Sequence, residues 1–518
     1  MNKWACTVAV ALAGCFDAPV ESPQTQIIQV SNVTADQTVR NKVDILFMID
    51  NSPSMDAMQT ELKSRLGDFF GVFDDLAKNQ TYADLNIGVV TSDYGAGPMA
   101  DGGCDASPGG QRGILQTGTG CAGPGGKFIH YAFGAGGATS NLPNGDNSVA
   151  NLITTFTCMG SVGSKGCGFE HQLESVYAAL KNNTDNAGFL RSDALLVVVF
   201  VTNEDDGSAP PTTDLYLRNA TQYGPYSTYR QTDGAIACGS PLALVPDAPS
   251  TGPLSCQAAP NDANQMIGKA YDIHRYSDFF KRPIAQGGVK DDPAHQVILV
   301  GIEAPSSPFK TILAVAGSGN GTGTNPLFVS CPSVSQTNCI VHLQHSCQNQ
   351  VAPAFFGDPA IRIESVINAV PLHQINSICG DDTNQAPNFS NALTGVAKLI
   401  SSEIGPGCIP APLEDPTKPD CKVFDVTPNA DGTDTLSPIA FCGDSAPPCW
   451  KLSPHNTGTQ ICPPVCVKPG DPAQQYGVTI DRGGAMAAKG TVAQVACATV
   501  AIPQSDLGTA TNPFGCAM

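Results

Sequence analysis

Three oxygen-bearing side chains follow the most apolar stretch of the sequence at alternate positions. Residues 43–55 read VDILFMIDNSPSM, so Asp50, Ser52 and Ser54 come directly after an almost continuous apolar run. One carboxylate and two hydroxyls on a single turn can point at one position, and such hard oxygen donors suit Mg²⁺, Mn²⁺ or Ca²⁺ better than soft metals. Because this set brings only one negative charge, a bound divalent cation would keep positions open for water or for an acidic group of a partner.

The elements that position this loop can be read from the hydrophobic pattern. The run before Asp50 is apolar on both faces of an extended strand, which is typical of a central parallel strand covered by helices. Further apolar strands alternate with amphipathic helical patterns along the chain. The strands are expected at 85–93, 194–206 and 295–304, and the helices at 169–180, 271–282 and 388–404. This alternation predicts an α/β fold with a doubly wound, mostly parallel sheet, in which ligands bind beyond the carboxyl ends of the strands.

The amino-acid composition differs between segments of the 518-residue chain. Glycine (53) and proline (41) are plentiful while charged residues make up 14%, which predicts regular elements separated by long cysteine-rich insertions. We expect a signal segment at 1–14, a tether at 15–40, an α/β domain at 41–405 with insertions at 94–166, 207–265 and 305–360, and a small disulfide-bonded, β-rich domain at 406–518.

The first residues, MNKWACTVAVALAGC, predict export and anchoring. Lys3 precedes an apolar run that is too short to cross a bilayer, as in a secretory signal. The ending LAGC resembles the bacterial lipobox, which implies that Cys15 becomes the lipid-bearing first residue of the mature protein; an ordinary signal peptide is the alternative. Phe16 follows where lipoproteins retained at the inner membrane often carry aspartate. We therefore expect lipid anchoring in the cell envelope, at the outer membrane rather than the inner one.

The twenty cysteines of an exported chain predict disulfides. Apart from Cys6 and Cys15, ten lie between residues 104 and 379 and eight between residues 408 and 516, so each block can pair internally. The sequence does not determine the connectivity. Pairing of nearest neighbours would give Cys104–Cys121, Cys158–Cys167 and Cys238–Cys256.

The stretch VDILFMIDNSPSM resembles the first strand of von Willebrand factor A domains, whose D-x-S-x-S loop begins their metal-ion-dependent adhesion site. The strand and helix order over about 41–405 is similar to the layout of that family. The resemblance implies a divalent cation at Asp50, Ser52 and Ser54, with Mg²⁺ expected first and Mn²⁺ or Ca²⁺ as alternatives. It also implies that the cation captures an acidic side chain of a protein ligand.

The sequence departs from that family at the two remaining ligand positions. The family supplies an aspartate after a middle strand, but here the strand ends VFVTNEDDGS, with Asn203 in that place. The amide oxygen of Asn203 brings no charge, and a small shift could bring in a residue of the acidic run 204–206, of which we take Asp205. The family's threonine is also missing, and GCGFEHQLESVYAAL offers Glu170 instead. Glutamate is a longer oxygen ligand and would restore the lost charge.

Other interpretations of these residues remain open. Ser52 ahead of Pro53 is a good helix N-cap arrangement, so the serines could serve only to start the following helix. Glu170 could be a solvated first-turn glutamate that is favoured by the helix dipole. Thr91 and Asp93, at the end of the second strand, are fallback ligands.

Charge and motifs limit the function classes. A net charge of −19 without a basic stripe argues against nucleic-acid binding. The sequence has no G-x-S-x-G, H-E-x-x-H or G-x-x-x-x-G-K motif, and we do not expect an enzyme. We expect an interaction module that binds an acidic group of a protein through its cation. The alternative is a metal-independent structural scaffold of an envelope assembly, with a degenerate metal site.

Overall fold

A computed structural model describes two large sheets with their flanking helices and loops. The described residues are 29–35, 41–78, 82–96, 104, 109–134, 136–181, 183–220, 223, 226, 228–238, 254–258, 269–321, 326–332, 338–404, 407–409, 411–413, 415–428, 434–443, 445–454, 466, 470–472, 474, 476–482 and 492–499. The predicted signal segment and Cys15 lie outside these residues, so the lipid anchor stays a prediction.

The first large sheet carries the predicted loop at its carboxyl edge. Its strands are β2 (Lys42–Ile49), β3 (Asp84–Thr91), β4 (Ile129–Ala132), β5 (Thr139–Ser140), β6 (Leu195–Val201), β9 (Val297–Glu303) and β14 (Leu372–Ser377). Their order is β14–β9–β6–β2–β3–β4–β5, and only the pairings of β4 are antiparallel. The mostly parallel sheet expected from the sequence is confirmed, with β2 at its centre.

Helices cover both faces of this sheet. The helices described between residues 56 and 404 are α1 (Asp56–Ser64), α2 (Leu66–Lys78), α3 (Val149–Met159), α4 (Gln172–Leu180), α5 (Thr228–Asp233), α6 (His274–Lys281), α7 (Pro293–Gln296), α8 (Ile361–Ile367) and α9 (Ser390–Ile404), of which α5 packs in the inserted segments and not on this sheet. Phe47 and Ile49 face a core shared with α1, α2, α3 and α9, whereas Leu46 and Met48 face α4, α6 and α8. Because successive side chains of β2 point to opposite faces and both faces are buried, the strand is apolar from Ile45 to Ile49.

The elements of this domain that were not predicted from the sequence include β14 and α3. The edge strand β14, LHQINS, has partly buried and exposed positions in place of an apolar run. Helix α3 lies inside the glycine-rich segment 94–166, which we expected to be an insertion without regular structure. Its Phe156 packs against Phe47 and Phe70, with ring centroids 4.9 and 5.8 Å apart, so this segment belongs to the core.

Disulfides bind the irregular segments to the sheet. The pair Cys238–Cys256 forms as nearest-neighbour pairing suggested. Cys104 and Cys121 instead pair with Cys167 and Cys158, because the fold brings the start of the segment back to its end. The other pairs within the described residues are Cys331–Cys339, Cys347–Cys379, Cys421–Cys497 and Cys442–Cys449. Three two-stranded sheets are described in the inserted segments. They pair β7 (Ile236–Cys238) with β8 (Cys256–Ala258), β10 (Lys310–Val315) with β11 (Cys339–Gln344), and β12 (Cys347–Gln348) with β13 (Phe356–Gly357).

The second large sheet is built from both ends of the chain. Its strands are β1 (Gln29–Ala35), β15 (Gly407–Cys408), β16 (Cys421–Pro428), β17 (Asp434–Phe441), β18 (Cys449–Pro454), β19 (Tyr476–Asp481) and β20 (Val492–Thr499), in the order β1–β20–β16–β17–β18–β19–β15. Val423, Trp450 and Val495 belong to its small core. The segment predicted to be a tether therefore contributes an edge strand: β1 pairs antiparallel with β20 along seven residues. Among the described helices, none is long and apolar enough to cross a lipid bilayer.

The position of β1 predicts how truncation affects the two domains. A chain that begins at residue 37 loses the β1–β20 ladder, so we expect the unfolding midpoint of the second domain to fall while that of the first domain is unchanged. Differential scanning calorimetry would resolve the two transitions. A chain that begins at residue 26 keeps β1 and is the matched control. Equal midpoints for the two truncated chains would contradict a stabilising role of β1.

Candidate metal centre

Asp50 is held in place by donors from the ends of three neighbouring strands. Its backbone N–H donates to the carbonyl of Val201, 2.9 Å away, and its side chain is completely buried. Oδ1 accepts hydrogen bonds from the backbone N–H of Ser52 (2.8 Å) and the hydroxyl of Ser92 (3.0 Å). Oδ2 accepts one from the hydroxyl of Thr202 (2.8 Å). The carboxylate is therefore fixed in orientation at the carboxyl edge of β2, β3 and β6.

The two serines form a short row of oxygens beside Asp50. The hydroxyls of Ser52 and Ser54 lie 3.1 Å apart, and Ser54 Oγ donates to Oδ1 of Asn203 at 3.0 Å. Ser52 precedes the 3-10 helix Pro53–Met55, but its side chain makes no capping hydrogen bond. The N-cap interpretation thus does not describe what these hydroxyls do. The structure brings together Asp50, Ser52, Ser54 and Asn203, as predicted.

Glu170 reaches the same edge from the segment that leads into α4. Its side chain is completely buried, and neither carboxyl oxygen meets a hydrogen-bond donor within the described part of the chain. Its backbone N–H donates to Oε1 of Gln231 at 3.0 Å, which fixes the main chain. The carboxyl group of Glu204 lies close enough to share a proton with that of Glu170, and Oε2 of Glu204 is likewise buried without a donor.

The three carboxyl groups are poorly compensated. Burial, and after it the charge of Asp50, raises the pKa of Glu170 to about 8. Burial, and then the charges of Glu170 and Asp358, raises the pKa of Glu204 well above its usual range. Burial also raises the pKa of Asp50, although its hydrogen-bond donors lower it. No ion pair with lysine, arginine or histidine reaches Asp50, Glu170 or Glu204 among the described residues. Such a cluster must retain protons or take up a cation.

Asp205 has a different task from the one predicted. Both of its carboxyl oxygens lie 3.0 Å from the backbone nitrogen of Arg362, and Oδ1 also accepts from Ile363 at 3.3 Å. Asp205 therefore caps the first turn of α8 and is not placed in the oxygen cluster. Glu204 takes that place. The sequence alone could not show which of Glu204 and Asp205 joins the cluster, because Arg362 of α8, the helix that Asp205 caps, lies 157 residues further along the chain.

Asp206 positions the segment that carries Glu170. Its Oδ1 accepts from the backbone N–H of Leu173 (2.9 Å) and the hydroxyl of Ser208 (2.6 Å), and its Oδ2 accepts from Nε of the buried Arg362 (3.1 Å). Ser208 Oγ in turn accepts from the backbone N–H of Glu174 at 3.0 Å. These bonds tie the start of α4 to the loop after β6, so Glu170 and Glu204 are held by one network.

The fallback ligands lie in a neighbouring loop. The hydroxyl of Thr91 donates to the side chain of Gln111. The backbone carbonyl of Asp93 accepts from the N–H groups of Gln111 (2.9 Å) and Arg112 (3.2 Å). Thr91 and Asp93 therefore anchor the loop around residue 111 rather than joining the oxygen cluster.

Access to the cluster is narrow. Gly166 donates its N–H to the carbonyl of Asn51 at 2.8 Å, and a Cβ at this glycine would come 2.2 Å from Oδ1 of Asn51. The end of the segment 94–166 therefore lies directly on the Asp50 loop. Asp50, Glu170 and Asn203 are inaccessible, whereas Ser54 and Glu204 are partly exposed. A partner or an ion could approach only past these two side chains.

The donor set fits a hard divalent cation. Within the described residues, no group of three or more His, Cys, Asp or Glu side chains is arranged to hold a metal ion. The carboxyl groups of Asp50, Glu170 and Glu204 are therefore not arranged as a metal site by themselves, and hydroxyl and amide oxygens lie beside Asp50. The two buried oxygens of Glu170, which meet no donor in the described structure, would add a carboxylate to such a site. Oxygen donors of this kind match Mg²⁺, Mn²⁺ or Ca²⁺.

Comparisons with known proteins leave the family of this chain open. No protein-family model matches the chain, and no curated protein matches its sequence. Among solved structures it is similar to the pilus adhesin SpaC from Lactobacillus rhamnosus GG in an open conformation (11% identity, TM-score 0.29, 90% of this chain and 40% of the adhesin). It is also similar to the pilus adhesin RrgA from Streptococcus pneumoniae (9% identity, TM-score 0.21, 90% of this chain and 57% of the adhesin). The chain thus spans about half the length of these adhesins, and at TM-scores below 0.5 neither likeness indicates a shared fold.

A further buried carboxyl at this edge was not predicted. Glu303, the last residue of β9, is buried, and within the described structure neither of its carboxyl oxygens has a hydrogen-bond partner. A Cβ at Gly301 would come 2.8 Å from its Cδ and 3.0 Å from Cδ1 of Ile367, so the carboxyl lies in an apolar corner. Burial, and then the charges of Asp205 and Glu364, raises its pKa well above the usual range. Glu303 therefore keeps its proton to a higher pH than an exposed glutamate does.

Glu303 predicts a pH dependence of stability. The native state keeps the proton to a higher pH than the unfolded chain does, so the free energy of unfolding falls as pH rises from about 4.5 towards the native pKa. Glu303→Gln cannot ionise. We expect its unfolding midpoint to decline less than that of the wild type between about pH 5 and pH 8, as measured by circular dichroism. An equal decline in the two proteins would contradict this assignment.

The different tasks of Asp205 and Glu170 predict different effects of replacing each acid by its amide. In chelator, Asp205→Asn should lower the free energy of unfolding by about 1–2 kcal/mol, because the amide offers the first turn of α8 one acceptor oxygen in place of two. The cost comes from the lost acceptor and not from the charge, since burial raises the pKa of Asp205 to about 7. Glu170→Gln should leave it unchanged or raise it, because the repulsion by Asp50 and Glu204 is relieved. Urea unfolding measures both. A loss for Glu170→Gln as large as that for Asp205→Asn would show that Glu170 is not under such repulsion.

Proposed function

We propose that this protein is a binding module of the bacterial cell envelope that holds a divalent cation and uses it to dock an acidic side chain of a protein partner. The supporting observation is the carboxyl pair of the buried Glu170 and the partly exposed Glu204, which has no ion pair with lysine, arginine or histidine among the described residues and lies near the fixed carboxylate of Asp50. The residues that would hold the cation are Asp50, Ser52, Ser54, Glu170, Asn203 and Glu204.

Electrostatics support a cation at this position. Burial of unpaired carboxylates is costly, and a divalent ion would offset that cost at the place where the charges converge. When bound, the ion would supply a concentrated positive charge that attracts a carboxylate. Asp50 keeps its orientation through the N–H of Ser52 and the hydroxyls of Ser92 and Thr202, while Glu170 and Glu204 provide the negative charge. Mg²⁺ is proposed first, and Mn²⁺ or Ca²⁺ would suit the same donors.

The surroundings favour docking over catalysis. The approach passes the partly exposed Ser54 and Glu204, and disulfide-bonded segments frame the edge of the sheet. On a chain with a net charge of −19, an acidic partner is repelled everywhere except at a local positive charge. A bound cation would therefore both attract the acidic partner and fix where it binds. The resemblance of VDILFMIDNSPSM to the adhesion site of von Willebrand factor A domains points the same way, and the LAGC motif at Cys15 supports the proposed envelope location and lipid anchor.

A scaffold without metal is the second candidate. Glu170 and Glu204 lie close enough to share a proton, which would satisfy part of the cluster without an ion. In that case the protein would serve as a disulfide-bonded component of an envelope assembly. The two candidates differ in one property: only the first gains stability from divalent cations.

Thermal unfolding with and without metal tests the proposed function. Mg²⁺, Mn²⁺ or Ca²⁺ at about one hundred times its Kd should raise the free energy of unfolding of the wild type by about 2.7 kcal/mol relative to chelator. Glu170→Gln and Glu204→Gln keep the side-chain shape but lose the charge, so we expect the gain to disappear. Asp50→Ala removes the central ligand and should also abolish it. Asp56→Asn, on the exposed surface of α1, is the matched control and should behave like the wild type.

The outcomes separate the two candidates. A metal-dependent gain in the wild type and in Asp56→Asn, absent from the three site variants, supports a live cation site. No gain in any protein favours the scaffold. A gain that persists in Glu170→Gln and Glu204→Gln would place the ion elsewhere and contradict the proposed ligand set.

A further inference from the structure

A second candidate site lies beside α4 and has the opposite charge character. It is an open cavity of about 410 Å³. The residues of its lining that matter here are Tyr94, Arg112, Glu174, Tyr177, Lys181 and Asp185. Neither the family resemblance nor the proposed cation site assigns a role to it.

Arg112 is presented to this cavity by a strained turn. Its φ is +51°, a left-handed conformation that a non-glycine residue adopts at a cost in free energy. Gly110 and Gly113 on either side also have positive φ, and a Cβ at Gly113 would come 2.4 Å from the carbonyl oxygen of Ser175 in α4. The backbone N–H of Arg112 donates to the carbonyl of Asp93 at 3.2 Å. The turn is therefore pressed between the end of β3 and α4, and it fixes where Arg112 emerges.

Two cations in the cavity are not neutralised. Within the described residues, neither Arg112 nor Lys181 forms an ion pair; the ammonium of Lys181 instead donates to the hydroxyl of Tyr177. Glu174 is already compensated, because Arg275 binds both of its oxygens at 2.9 Å and the hydroxyl of Tyr276 donates to it at 2.9 Å. A pocket with two exposed, uncompensated cations stands out on so acidic a chain.

We propose that this cavity binds the carboxylate of an aspartate or glutamate side chain in a peptide segment of a partner, without a metal. The planar guanidinium of Arg112 matches a carboxylate in a two-point contact, and Lys181 adds a second charge. Asp185 at the cavity disfavours a dianion such as phosphate. An acidic sugar is also disfavoured, because the ring of Tyr177 already carries Lys181 (4.7 Å) and Arg275 (4.2 Å) and is a poor stacking platform.

This inference does not depend on the cation site. Its charge comes from side chains of the chain itself, so it holds in the presence of a chelator. If both sites operate, one acidic partner segment can be held at two positions near the opposite ends of α4, since Glu170 precedes that helix and Lys181 follows it. The cation site and this cavity can therefore be tested separately. A measurement in chelator tests the cavity alone, because only the cation site needs an ion.

Ligand-observed saturation-transfer NMR on the full chain in chelator tests the proposal. The probe is the blocked peptide acetyl-Gly-Glu-Gly-amide, and acetyl-Gly-Gln-Gly-amide is its neutral match. We expect the glutamate peptide to bind at least about tenfold more tightly than the glutamine peptide, because a charge-assisted bond replaces a neutral one. Arg112→Gly and Lys181→Met should each weaken binding of the glutamate peptide by about tenfold. Lys451→Met, an exposed lysine of the second sheet, is the control and should bind normally.

Arg112→Gly also separates loss of the ligand from loss of the fold. Glycine adopts the positive φ of this position without strain, so the variant should unfold at the same temperature as the wild type or a higher one. Equal binding of the two peptides, or full binding by Arg112→Gly and Lys181→Met, would overturn the proposal. Absence of binding by the wild type would also overturn it. Tighter binding of glucuronate than of the glutamate peptide would reassign the cavity to acidic sugars.

Discussion

The buried carboxyl groups without cationic partners at the carboxyl edge of the first sheet are the constraint on which the candidate site depends. Asp50 is buried at that edge with donors for both of its oxygens, whereas Glu170 is buried there with none among the described residues. An ionised carboxyl in such a place costs several kcal/mol unless a proton or a cation accompanies it. A chain that only needed a stable turn would have no reason to bring Glu204 to the same point.

The acidic run after β6 shows how one short segment divides its charges between stability and binding. Asp205 gives both oxygens to the first turn of α8, and Asp206 gives its oxygens to the start of α4 and to the buried Arg362. Only Glu204 is left facing Glu170 without donors. The two aspartates therefore fix the helices on either side, and the glutamate between these helices and the Asp50 loop remains available for a ligand.

The sequence predicts those features that depend on local pattern. The apolar run into Asp50 predicted a central strand, and alternate spacing predicted that Ser52 and Ser54 would lie together, as they do at 3.1 Å. It could not choose between Glu204 and Asp205, because that choice depends on where α8 begins. It also missed β1 in the second sheet, since the partner strand β20 lies more than 450 residues away along the chain. Contacts between distant segments leave no periodic signal in one sequence.

The resemblance to von Willebrand factor A domains and the departures from it have a common physical basis. If an aspartate is replaced by Asn203, the cluster loses a charge, and a cation would be held less firmly unless another carboxylate arrives. Glu170 is longer than the threonine of that family and reaches the carboxyl edge of the sheet from the segment before α4, where Asp206 and Ser208 hold the backbone. A turn that binds no ligand would not need these hydrogen bonds to hold Glu170 in place. A buried carboxyl group without donors costs free energy unless a proton or a cation accompanies it, so the presence of Glu170 at this edge favours the proposed cation site over a turn without a ligand.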